Sequence, residues 1–255
     1  MRSILLICQK ELKSYFASPI AYLLMAFFGL IFGFGMFTAT RDFVRFSFQM
    51  QAQGQSMPMN VNEQIIRPLL GFGSTISLFL IPMITMRLFA EEKRSGTIEL
   101  LLTSPVTDTQ IILGKWLGAM LLYLCVLLMS VLNVGLLFAW GKPDIRPVLV
   151  AYLGLLLQGG CLLAIGEFIS TTTRNQIIAG GVTFFVCLML WLLNWFTSFD
   201  NSTMATIVNY LSIVTHFDNF AKGVIETKDV IFYLSMIFFA LFITSRAMES
   251  LRWRS

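Results

Sequence analysis

An all-α, polytopic membrane protein is predicted by two features of the chain. It is poor in charge, and its apolar residues gather into six long runs. Hydrophobic residues make up 56% of the 255 and charged residues 13%, where soluble domains average about 45–50% and about 25%. Mean hydropathy is +0.77. The runs 20–39, 69–86, 116–140, 148–169, 177–197 and 230–245 approach the roughly 20 residues that cross a bilayer core as helix. Helix is expected because lipid offers an open backbone no hydrogen-bond partner. These features exclude a disordered chain, a collagen-like fibre and an ordinary soluble enzyme. Residues 1–255 read as one transmembrane domain.

The net charge of +4 comes with no basic stripe or recognition module, so nucleic acid is not an expected partner. The cations flank the apolar runs. Most of the 18 Lys and Arg fall on the side of the N-terminus, which places both termini in the cytoplasm. The first run is too long for the apolar part of a cleavable signal and reads as a span that stays.

Taken in order, the N-terminal segment 1–19 is an interfacial helix. Ile4, Leu5, Cys8, Leu12, Tyr15 and Phe16 share an arc of roughly 120° at helical period, with Arg2, Gln9, Lys10, Lys13 and Ser14 opposite and Leu6 as the exception. Such a helix lies in the membrane surface, and Pro19 breaks it before span one. Cys8 is expected to face the membrane. Residues 40–66, with Gln49, Gln51, Gln53 and Gln55, read as a long polar external loop.

The loop 87–115 is the most informative stretch. Gly96 is expected to end a first short helix. Thr97 caps a second, with Glu99 against its dipole. Ser104-Pro105 ends that helix. Thr107 and Gln110 form a capping-box pattern that launches span three. Leu100-Leu101-Leu102 is expected to make a buried leucine face, and the whole loop looks built to dock a cytoplasmic partner. On the other side, loop 198–229 predicts short external interfacial or re-entrant helices. Met204, Ile207, Val208 and Leu211 carry the first, and Asp218 caps a second that Gly223 ends.

Candidate chemistry is sparse. The cysteines have no metal or disulfide spacing, so neither a metal nor a cofactor is expected. His216 is the sole histidine, and Ser74 in Gly71-Phe-Gly-Ser74 is its nearest partner for a hydrolase. Glu167, near the cytoplasmic end of span four, is either an interfacial ion pair with Arg174 or a substrate contact. Gly29 and Gly33, Gly154, Gly159 and Gly160, and Gly180-Gly181 are packing signals. The nearest approach to a phosphate-binding loop, Gly114-Lys115, lacks the first glycine and runs into Trp116, so no catalytic or ATP-binding residue is expected.

The stretch from Glu91-Glu92-Lys93-Arg94-Ser95-Gly96-Thr97-Ile98-Glu99-Leu100 through Ser104-Pro105-Val106, with Gly114-Lys115 after it, resembles the cytoplasmic loop of ABC-2 type exporter permeases. His216 to Gly223, followed by Asp229, is similar to the external re-entrant region of that group. Lys10-Glu11 through Pro19 to Tyr22 resembles the gliding-motility (GldF-like) branch. The resemblance covers nearly the whole chain. It implies a permease of the bacterial cytoplasmic membrane, paired with a second permease subunit and docked on a cytoplasmic ABC ATPase. Residues 2–16 would be its elbow helix. A coupling helix would lie within 87–105, with Glu91, Glu92, Arg94, Gly96, Thr97, Glu99, Leu100, Ser104 and Pro105 as its ATPase-coupling residues. The other class of function is a non-transporting membrane anchor with an envelope protein as partner.

Overall fold

The computed structural model describes residues 2–53, 60–103, 106–141, 143–197 and 210–252, and no strand occurs among them. Helix α1 (Arg2–Ala17) precedes α2 (Pro19–Ala52). A π-helical stretch, Asn62–Ile66, runs into α3 (Arg67–Thr85), and the short α4 (Ala90–Ser95) and α5 (Ile98–Leu102) follow. The long helices α6 (Asp108–Trp140), α7 (Ile145–Thr172) and α8 (Gln176–Thr197) come next. The chain closes with the short α9 (Ile213–Ala221) and with α10 (Thr227–Arg252). Among the described residues, six segments are long and apolar enough to cross a membrane, built on α2, α3, α6, α7, α8 and α10. An even number of crossings returns both termini to one end of the bundle. That near end carries α1, α4 and α5; the far end carries α9.

The helices overrun the apolar runs that announce them. Hydropathy marks only the stretch matched to lipid, whereas a helix continues until its backbone bonding is interrupted. The polar segment 40–66 is therefore mostly not a loop. Helix α2 continues to Ala52, giving 34 residues and about 50 Å. Residues 62–66 are already helical on the other strand of the connection. Pro68, in the first turn of α3, has no N–H to give a carbonyl four residues back, and the helix widens just before it. The helix of span three starts at Asp108, directly after Thr107, where the sequence launches it.

Helix α7 is the centre of the bundle, packed against α3, α6, α8, α9 and α10. Its small residues let neighbours approach its backbone. A methyl group at Gly154 would sit 2.5 Å from Phe220, at Gly159 2.1 Å from Tyr123, and at Gly166 2.4 Å from Thr85. Gly29 and Gly33 face α6 at ordinary contact, 3.8 Å from Met129 and 3.6 Å from Asn133, while Gly181 meets nothing within 4 Å. Tyr123 is fully buried, its hydroxyl 2.9 Å from that of Ser77. One turn along α3, Ser74 donates to Oε1 of the buried Gln158 at 2.8 Å. These hydroxyl contacts tie α3 to α6 and α7 where lipid offers no substitute partner.

At Gly159 the ring of Tyr123 has nowhere to retreat. Gly159→Ala is expected to destabilise the detergent-solubilised protein by about 1–3 kcal/mol, as overpacking does. Gly181→Ala, with open space around it, should be neutral or slightly stabilising. Thermal unfolding of the two variants side by side checks both.

Candidate functional site

The near end is organised by a charge cluster that joins three elements distant in sequence. Helix α1 lies against the start of α6 because two glycines one turn apart leave room for it. A methyl group at Gly114 would come within 2.8 Å of Ile7, and one at Gly118 within 2.8 Å of Cβ of Glu11. The buried face of α1 carries Cys8, Glu11 and Tyr15. This corrects one expectation: Cys8 packs inside rather than facing lipid. A glutamate occupies the buried stripe because a cation waits opposite it.

That cation is Lys115, whose side chain is 1% exposed. Its ammonium lies 2.9 Å from Glu11 Oε1 and 3.0 Å from Glu92 Oε1, and donates to the Leu88 carbonyl at 2.7 Å. Three donors meet three acceptors, with the Phe89 ring 5.0 Å away. Lys10, largely exposed, adds a second ammonium 3.2 Å from Glu92 and 3.6 Å from Glu11. A buried charge pair owes its tolerance to this degree of satisfaction, since either partner alone would carry the full desolvation penalty.

The turn between α3 and α4 is clamped from every side. Arg87 holds Glu91 through two bonds of 2.7 and 3.1 Å and donates to Ser18 Oγ at 3.3 Å. Ser170 of α7 accepts from the N–H groups of Phe89 and Ala90, both at 3.1 Å, so the start of α4 is capped by another helix. Lys93 donates to the Thr171 carbonyl, and Tyr15 donates to the Ile84 carbonyl at 2.9 Å. Gly96, at φ 73°, closes α4 in a conformation that favours glycine.

The expected coupling residues thus divide into two groups. Glu91 is bonded to Arg87 and Glu92 to the Lys115 cluster. Arg94, Gly96, Thr97, Glu99 and Leu100 face outward, and Ser104 and Pro105 lie outside the described residues. Leu100 is 73% exposed, so the leucine face is not buried against this chain at that residue. The Thr97 hydroxyl turns back to Ser95 at 2.8 Å rather than capping α5. The Thr107 hydroxyl contacts Thr109 at 3.1 Å and forms no side-chain cap, so the capping box is not made. Glu11, Arg87, Lys115 and Ser170 escaped the sequence reading as site residues. The one signal that could have found them is Lys115, a lone cation in an otherwise apolar run.

Elsewhere, the structure separates the other candidates. His216 uses both ring nitrogens, Nδ1 at 2.6 Å from Asp229 and Nε2 at 2.9 Å from the Tyr210 carbonyl, and its ring stacks on Phe232. Ser74 is bonded to Gln158 instead, so the pair forms no hydrolytic site. Asp218 lies inside α9 and is not its cap, because Arg67 at 2.7 Å and Lys222 at 2.6 Å draw its carboxylate sideways. Burial works to raise the Asp218 carboxyl, and the bonds from Lys222 and Arg67 outweigh it and hold it below its ordinary value. Arg67 and Asp218 border a far-end cavity of about 370 Å³ that Ser74, Trp191 and Phe217 also line. Of the first far-end helix, Met204, Ile207 and Val208 lie outside the described residues. Glu167 is fully buried, and among the described residues neither of its carboxylate oxygens has a hydrogen-bond partner. The expected ion pair with Arg174 is not made.

A family model described as "ABC-2 family transporter protein" matches residues 5–246. No curated protein matches the chain. With nearly its whole length covered, the chain belongs to the ABC-2 transporter family, a family of transmembrane components that are not themselves the ATPase and that generally work with a cytoplasmic one.

Two outcomes follow from these contacts. Lys115→Met leaves Glu11 and Glu92 with the exposed Lys10 as their one lysine and is expected to cost about 3–5 kcal/mol, read as a lower unfolding temperature in detergent. Adding Glu11→Gln and Glu92→Gln should recover part of it. At the far end the Asp218 carboxyl titrates low, so its ion pairs stabilise fully above the ordinary carboxylate range. That contribution is lost as pH falls through the lowered value. Asp218→Asn should flatten this acid limb of thermal stability and leave the neutral limb parallel to wild type.

Proposed function

We propose that this ABC-2 family chain is the permease subunit of an ATP-driven exporter, coupled to a separate cytoplasmic ATPase through α4 and α5. The observation that carries the reading is the division of that segment into two faces. One face, through Glu91 and Glu92, is bonded to Arg87 and to the Lys115 cluster, and so to α1 and α6. The other presents Glu99 and Leu100 outward. A lever needs both: a grip on the spans, and a surface for whatever pushes it. ATP-driven closure of the ATPase pair would move α5, and the buried cluster would pass that motion to the elbow helix α1 and to span three. In this reading the near end is cytoplasmic, as the Lys and Arg bias favours, in the cytoplasmic membrane of a bacterium. A second permease subunit completes the transporter. The gliding-motility branch is the subgroup its motifs are most similar to.

One feature favours a membrane anchor with an envelope partner as the second reading. Helix α2 runs on past its apolar run to Ala52, with Val44, Phe46 and Phe48 exposed along the overhang. An ATPase rate in liposomes that answers to a transported solute supports the exporter, and one that answers only to a protein supports the anchor.

The structure also selects the variants for testing coupling. Substitution at Glu91 or Glu92 disturbs the internal bonds as well as any docking. Leu100→Asp and Glu99→Lys are expected to leave membrane insertion and thermal stability unchanged while the ATPase recovered with a tagged permease falls severalfold. Full recovery of a stoichiometric ATPase with the double variant would remove α5 as its docking element.

A further inference from the structure

Glu167 is a buried acid for which the coupling reading has no use. It sits on α7 one turn before Ser170. Ser170 accepts from Phe89 and Ala90, and Lys115 donates to the adjoining Leu88 carbonyl. Lys115 of α6 and Ser170 of α7, one turn from Glu167, therefore hold the same three residues. Glu167 lies within electrostatic reach of Lys115 and of Glu11, yet neither of its oxygens is bonded among the described residues. An enclosed carboxyl group without a partner is costly to keep.

The inventory of charges around it is uneven. Two lysines, Lys10 and Lys115, serve two acids, Glu11 and Glu92, with each lysine within 3.6 Å of both or bonded to both. Glu167 is the third acid and the one left over. Lys10 alone already bridges Glu11 and Glu92. When the Lys115 ammonium leaves them, Lys10 stays within reach of both, and Glu167 gains the partner it lacks. One arrangement leaves Glu167 without a partner, the other leaves Glu11 and Glu92 to Lys10, and they differ in whether α4 is held to α6. That is the property of a two-state element.

We propose that Glu167 is the second binding position of the Lys115 ammonium, which passes from Glu92 to Glu167 when α4 is displaced. In the first position the salt bridge ties α4 to α6. In the second it ties α6 to α7, the centre of the bundle, and α4 is released from α6 while Lys10 still joins it to α1. Glu167 is thus a positioning residue that sets how readily the near end changes state. The inference rests on the reading that α4 belongs to the moving element.

The test uses the permease–ATPase complex in nanodiscs, with spin labels at Ser95→Cys and Arg174→Cys, both at exposed near-end positions. Wild type is expected to show a second distance between the labels when nucleotide is trapped. Glu167→Gln, nearly isosteric and uncharged, should lose that second distance while ATPase remains bound. Glu167→Asp, which keeps the carboxylate, should restore it at least in part. A second distance that persists unchanged in Glu167→Gln overturns the proposal and leaves the coupling reading standing. No second distance in wild type overturns both. Should Glu167→Gln fail to assemble, the same measurement on Lys115→Arg decides, since a guanidinium reaches either acid and should preserve both distances. A single distance there counts against the exchange.

Discussion

The buried ammonium of Lys115 is the constraint on which the near end depends. It is held by Glu11 of α1, Glu92 of α4 and the backbone at Leu88, all within 3.0 Å. Each partner belongs to a different element, and none of these elements would hold its place alone. Helix α1 is a single amphipathic surface helix, and α4 is six residues long, far below the length at which a helix persists in isolation. A charge buried this deeply requires its partners. The requirement fixes the angle of α1 across α6 and the docking of α4 beneath it. The two glycines at 114 and 118 serve the same end, by letting Glu11 approach closely enough to be a partner.

Much of the architecture was legible because it follows from lipid as a solvent. The six spans, their order and the surface helix before them rest on apolar runs and their period. Gly96 was legible as a helix end because a left-handed residue there favours glycine. What stayed hidden depends on partners brought together by the fold. Glu11 looks like a solvated charge until Lys115 is known to lie against it. Asp218 has the look of a cap, but Arg67, 151 residues away in sequence, takes its carboxylate. Thr107 and Gln110 carry the capping-box pattern, yet the hydroxyl finds Thr109 nearer. The overhang of α2 was missed because polarity was read as loop, although nothing in Gln-rich, Met-containing sequence stops a helix already under way. Among the coupling residues, the sequence marked the segment and could not divide it into an inward face and an outward one.

The exposure of the spans divides the bundle in the same way. Helices α3 and α7 are mostly buried within this one chain, whereas α2, α8 and α10 turn most of their apolar surface outward. The outward helices meet lipid, or a second permease subunit in the reading proposed above, and are read easily from hydropathy. The inner two carry the polar side chains that spans ordinarily avoid: Ser74, Ser77, Gln158 and Glu167. Three of these bond across helices, and such contacts hold the inner pair in register.

Helix α3 joins contacts at the two ends of the bundle. Its near-end carbonyl at Ile84 accepts from Tyr15 of α1, and its far-end Arg67 pairs with Asp218 of α9. The helix that carries both has 19 residues and is about 28 Å long. Its backbone hydrogen bonds cannot be given up to lipid without a cost of several kcal/mol each. A push on the near end is therefore more cheaply met by moving the helix as a body than by melting it. In the proposed reading, movement at the near end would reach the Arg67–Asp218 pair at the rim of the far-end cavity. The two ends of the molecule are linked by the stiffness of one helix, with no continuous chain of polar contacts required.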